Sequence, residues 1–132
     1  MAHEYLNAFI NNSDTIAEKA GAELKNARHK AVMYDSDGNV IIATSGDKAI
    51  GVVLSNTAET VEKGYDLHIL IKQIGLVEAG GAIAKGDLVT VNSTGQVTKA
   101  ASGEFIFGRA YTAAEVAEGL VQVQINHMGI MA

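Results

Sequence analysis

The chain of 132 residues has no cysteine and no proline. Without cysteine it forms no disulfide, offers no thiolate nucleophile and binds no iron–sulfur cluster or zinc through sulfur. Without proline its turns rest on other residues, and the 14 glycines become the strongest punctuation. Basic residues are also few: 10 Lys+Arg stand against 15 Asp+Glu, a net charge of -5. That deficit argues against direct nucleic-acid binding, which needs a basic patch to neutralise phosphates. Long apolar runs are missing, so no membrane span is predicted. The start, Met1-Ala2-His3-Glu4, lacks the basic region of a signal peptide. Core material is present in quantity. Hydrophobic residues make up 48% and charged residues 19%, which predicts one folded domain rather than a disordered segment.

The glycines are spaced like hairpin turns. Asp35-Ser36-Asp37-Gly38-Asn39 separates the apolar stretches 31–34 and 40–44, and Asn92-Ser93-Thr94-Gly95-Gln96 separates 88–91 and 97–99. Polar turns with glycine between short apolar stretches are hairpin signals. Further strands are predicted at 50–54, 67–74, 105–111 and 120–125. In the last, Val121, Val123 and Ile125 alternate with Gln122 and Gln124, the period of a half-buried strand. Two stretches favour helix. Thr112, with Glu115 three residues on, predicts a short helical turn over 112–118. Ile16, Ala20, Leu24 and Ala27 fall at helical spacing behind Asp14, but the repeat described next predicts a loop or a single turn there.

Displacing the chain along itself by 57 residues (95 − 38 = 57) brings Ser36, Gly38, Val40, Ala43, Ser45, Gly46 and Gly51 onto identical residues at 93, 95, 97, 100, 102, 103 and 108. Chance supplies about one or two matches in so short a window, so the chain carries a candidate duplication, about 20–74 and 78–125. Residues 46–54 then fall on 103–111, and Gly51 and Gly108 mark a sharp twist or a close backbone approach. The predicted fold is mainly β: a compact small barrel or sandwich of two similar β units with an approximate internal twofold and short helical turns. A single domain over 20–132 is expected. Residues 1–19 fall outside the repeat and read as an extended N-terminal arm.

Motifs for chemistry are weak. No two of His3, His29, His68 and His127 stand at a metal-ligand spacing, and His68 with Asp66 reads as an ordinary surface pair. Asp35-x-Asp37-x-Asn39 starts like a calcium loop. It has Val40 where that loop needs glycine and Gly46 where it needs glutamate. Gly80-Gly81 leads into Ala82-Ile83-Ala84-Lys85 without the Lys-Ser/Thr of a phosphate loop. Asp47-Lys48-Ala49 leaves a lipoyl-like carrier modified at Lys48 as one alternative, although the tripeptide sits inside one repeat and not between two. A small β-barrel enzyme is the other, but Ser45, Ser55 and Ser102 have no partner that the sequence places. No catalytic residue, cofactor or metal is predicted.

The ordered text Asp47-Lys48-Ala49-Ile50-Gly51-Val52-Val53-Leu54, Ile74-Gly75-Leu76-Val77-Glu78-Ala79-Gly80 and Ala82-Ile83-Ala84-Lys85-Gly86-Asp87-Leu88-Val89 continues with Asn92-Ser93-Thr94-Gly95-Gln96-Val97. It closes on Phe107-Gly108-Arg109-Ala110-Tyr111 and Ala117-Glu118-Gly119-Leu120-Val121-Gln122-Val123. Over about residues 20–125 this resembles the small capsid cement, or head-decoration, proteins of tailed bacteriophages and prophages. The resemblance implies a non-enzymatic virion protein, made in the host cytoplasm, that binds the outer surface of an assembled head. It further implies contact with the major capsid protein, stabilisation of the lattice against internal pressure, and a homo-oligomer, with a trimer favoured. The segment 1–19 has no counterpart in the shortest members. The expected contact residues are Tyr5, Leu6, Phe9 and Ile10 in the arm, with Phe105, Phe107, Arg109 and Tyr111 in the second unit. The last four share one face of an unbroken strand. Arg109 therefore implies either an interface or edge surface, or a bulge at Gly108 that breaks the alternation.

Overall fold

The computed structural model describes residues 13–132, and none of them is helical. The strands of the first half are β1 (Thr15–Lys19), β2 (Leu24–Lys25), β3 (Ala31–Tyr34), β4 (Val40–Ile42), β5 (Gly51–Val53), β6 (Thr60–Val61) and β7 (Asp66–Leu70). Those of the second half are β8 (Gln73–Glu78), β9 (Leu88–Val91), β10 (Val97–Lys99), β11 (Phe105–Ala110) and β12 (Leu120–Ile130). Two five-stranded sheets run in the orders β1-β7-β5-β3-β4 and β10-β9-β11-β12-β8, and β2 pairs with β6. Each large sheet comes from a continuous stretch, and corresponding strands hold corresponding places.

The turns explain why the two halves fold alike. Asp35 Oδ1 accepts the amides of Asp37 and Asn39 at 2.9 and 3.0 Å. In the second half Asn92 Oδ1 accepts those of Thr94 and Gln96, both at 3.0 Å. A short side chain that satisfies the backbone ahead of it sets the hairpin locally, and Gly38 and Gly95 supply the positive φ of 80° and 78°.

Neither sheet closes into a barrel. Each curls until the end of one edge strand meets the other edge at a single parallel bridge, Ala20 to Val40 and Ala79 to Val97. One bridge is not a ladder, so the architecture is two open, packed sheets. The Tyr34 hydroxyl donates to Glu18 between β3 and β1, and that bond, with burial, holds the phenol above its ordinary pKa.

The expected helical turns are strands and bends. Over 112–118 the amide and carbonyl of Ala114 both bond to Ile83, at 2.9 and 2.8 Å. These bonds commit backbone groups that a helix would use. Thr112 Oγ1 accepts the amide of Gln122 at 2.9 Å, so it steadies β12 instead of capping a helix. Farther back, Ile16 pairs with Ile69 and Leu24 with Val61; sheet pairing has overridden helical spacing. Of the expected arm, residues 1–12 lie outside the described residues, and Thr15–Lys19 is edge strand β1. The expected strand 67–74 divides where Gln73 takes a φ of 72°, and β8 beyond it belongs to the second unit.

Each sheet has two faces. In the first, Val32, Val40, Val53, Leu67 and Ile69 pack with Ala20, Leu24, Ala27 and Val61 in one core. The opposite face, with Ala31 and Val52 and the partly buried Met33 and Leu70, packs into the second core, among Val77, Val89, Phe107, Val121 and Val123 of the second sheet. The units are therefore stacked head to tail. The contact is one-way: an added Cβ on Gly95 would meet Ile42 Cγ2 at 2.7 Å and Ala31 O at 2.9 Å, whereas one on its twin Gly38 would meet nothing. A twofold would make the two tips equivalent.

Candidate contact surface

Head-to-tail stacking leaves one face without its twin's cover. Arg109 of β11 stands where Val52 stands in β5. By register Gln124, opposite Arg109, stands where Leu70 stands, opposite Val52. In the first sheet Val52 is buried and Leu70 is half-buried. In the second, Arg109 is exposed, Gln124 is half-buried and Tyr111 is exposed. The turn around Gly46 covers the corner at β9 and the start of β11, where an added Cβ would lie 2.6 Å from Thr90 Oγ1 and 3.0 Å from Phe105 O.

The outer face carries both polar and apolar groups. Arg109 donates from Nη1 to Gly86 O at 2.9 Å, and Tyr111 donates its hydroxyl to Gln124 Oε1 at 3.1 Å. Register then places Leu76 beside Gln122, Ile74 beside Gln124, and Leu120 beside Glu78. Ile74, Leu76 and Leu120 are 45%, 40% and 46% exposed. Half-open aliphatics on edge strand β8 and at the start of its neighbour β12, bordered by amides, an arginine and a tyrosine, suit a protein partner rather than bulk water. Beside it, a groove of about 400 Å³ runs between β8 and the first sheet, lined by Val52, Val53, Leu54 and Leu70 against Ile74 and Leu76.

The expected contact residues fall in different places. Tyr5, Leu6, Phe9 and Ile10 lie outside the described residues. Phe107 is fully buried in the shared core, which removes it from any contact surface. Phe105 is half-buried. Arg109 and Tyr111 are on the outer face. The alternation breaks because Ile106 pairs with Gly129 whereas Gly108 pairs with Ile125. This irregularity between the two pairs is a bulge, the second of the alternatives posed by Arg109. His127, in the bulged segment, lies 5.8 Å from the Phe105 ring and 5.3 Å from that of Phe107, and burial pushes its pKa below the ordinary imidazole value. Ile74, Leu76 and Leu120 were not among the expected residues. Their signal was the parity of β12, where Leu120 shares the outward side with Gln122 and Gln124.

The setting for chemistry is sparse. Among the described residues no group of three or more His, Asp or Glu is placed to hold a metal. Lys48 is exposed in the turn before β5. Beside it, the Ser45 hydroxyl donates to Asp47 Oδ1 at 2.6 Å and holds that carboxyl below its usual range.

Residues 7–126 match the phage cement family, described as structural cement protein (E217 gp24/Pam3 gp6). No curated protein sequence matches. Among solved structures, the head fiber gp8.5 N base of bacteriophage phi29 superposes with a TM-score of 0.59 at 20% identity, covering 89% of this chain and 98% of that one. At that identity the likeness is one of fold.

Proposed function

The chain belongs to the phage structural cement family, and from that premise we propose that it grips the head through the outer face of its second sheet. Its role is structural and capsid-associated, on the surface of the virion, and not enzymatic. The finer reading is that its partner is the major capsid protein, that Arg109, Tyr111, Ile74, Leu76 and Leu120 make the contact, and that it acts as a homo-oligomer, a trimer by family resemblance.

One observation carries this reading. The second sheet exposes Arg109 on the face where the first sheet buries Val52 against its neighbour. A cement protein needs an exposed, partly apolar patch with few fixed charges, and no cleft. Many copies on a lattice then add modest contacts into firm attachment. Carrier and enzyme readings gain no support from Lys48 or from the grooves.

The test is co-sedimentation with expanded heads and, separately, with unassembled capsid protein. Wild-type protein should pellet with heads, and Arg109→Glu combined with Leu76→Lys should weaken attachment about tenfold or more. Wild-type protein that stays in the supernatant with every assembled shell overturns the role. Unimpaired pelleting of the double variant overturns the surface. Native mass distinguishes the trimer from a monomer.

A further inference from the structure

Three of the four non-glycine residues with positive φ among the described residues line one concavity. They are Asn26, His29 and Glu118, at φ 54°, 66° and 71°, in a concavity of about 470 Å³ shared with Arg28, Lys30, Glu78 and Gln96. The duplication shows that two of these side chains are not needed by the backbone. His29 donates its amide to Val53 O, and at the same place in the second unit Gly86 donates to Ala110 O with a φ of 93°. Glu118 donates its amide to Ala79 O, as Gly64, with a φ of 89°, does to Ala20 O. In each pair one unit keeps the glycine that this conformation favours and the other keeps a strained side chain. Both strained side chains open onto the same concavity. Strain of this kind persists where a side chain has a task.

The charges in the concavity divide into satisfied and unsatisfied. Lys30 Nζ lies 3.8 Å from Glu78 Oε2, and Gln96 Nε2 donates to that oxygen at 2.7 Å. His29 is tied by Nδ1 to Leu76 O at 3.3 Å. Arg28 and Glu118 are exposed, and neither forms an ion pair among the described residues. They are one free cation and one free anion at the rim of a pocket that is otherwise neutralised.

Resting on the cement role above, we propose that this concavity is a second docking site. Its occupant is a loop of the capsid protein that sets an acidic side chain against Arg28 and a basic one against Glu118. Opposite charges at two fixed points fix the register of the loop as well as holding it. The site adjoins the outer-face patch where Glu78 pairs with Leu120, but its two charges lie outside that patch.

Glu118→Gly, Glu118→Lys and Arg28→Ala test this, each by thermal melting and by co-sedimentation with expanded heads. Glu118→Gly should melt at the wild-type temperature or about 3 °C higher, because the strain is removed. It should nevertheless attach about fivefold more weakly, as should Arg28→Ala, with Glu118→Lys weaker still. Wild-type attachment by Glu118→Gly and Arg28→Ala together overturns the site. A lowered melting temperature for Glu118→Gly also overturns it, since the side chain then serves the fold. Failure of the wild-type protein to bind heads refutes the cement role itself. Binding by wild type that weakens for Arg109→Glu but not for these variants refutes the second site alone.

Discussion

Gly51 and Gly108 show what a single residue decides. An added Cβ at Gly51 would lie 2.3 Å from Leu70 O, and one at Gly108 would lie 2.2 Å from Gln124 O. In both sheets the glycine lets the central strand sit against the backbone of its neighbour. Of the two meanings the sequence allowed these glycines, close approach is the one realised; their identity under the 57-residue displacement was the clue. Gly108→Ala should therefore cost about 3 kcal/mol, read from urea denaturation. A cost below about 1 kcal/mol would contradict the packing. Arg109 was harder to read. Its outward direction depends on the register change between Ile106 and Gly108, measured against Gly129 and Ile125 of β12. The residues of that partner segment are far along the chain, so parity counted on β11 alone grouped Phe107 with Arg109.

At the scale of elements, legibility followed the range of the determining interactions. The hairpins at 35–39 and 92–96 were readable because Asp35 and Asn92 satisfy amides only two and four residues ahead. Edge strands β1 and β8 were not. Their side chains are mostly half-buried or exposed, which blurs period two, and their partners lie in β7 and β12. Thr112 and Glu115 spelled a helix start, yet the pairing of Ala114 with Ile83 outweighs a local cap worth about 1 kcal/mol. The same contrast between local and distant causes separates the two turn glycines. Gly38→Ala faces only the left-handed backbone and should cost about 1 kcal/mol. Gly95→Ala adds a collision with Ile42 and Ala31, and should cost about 3 kcal/mol in all. Equal chemical-denaturation midpoints for the two variants would argue against the one-way contact.

The whole molecule depends on one shared core. Ala31 and Val52 of the first sheet lie in the same cluster as Phe107, Val121 and Val123 of the second, so neither unit completes its burial alone. Phe107→Ala should cost about 4 kcal/mol and shift a single unfolding transition, with calorimetric and van't Hoff enthalpies equal. Two separated transitions would mean that the units are independent. Overall β content was legible from turns and alternation, and closure was not, because strand patterns are the same for an open sheet and a barrel. Of the outer face now proposed for contact, only Arg109 and Tyr111 were legible, since Ile74 and Leu76 become outward-facing only once β8 pairs with β12. The head-to-tail stack has one more effect. Each molecule has two copies of the sheet but only one uncovered twin. With the proposed face turned to the shell, a coat of such molecules would show the medium no second copy of that face, and decorated particles would lack that patch through which to clump.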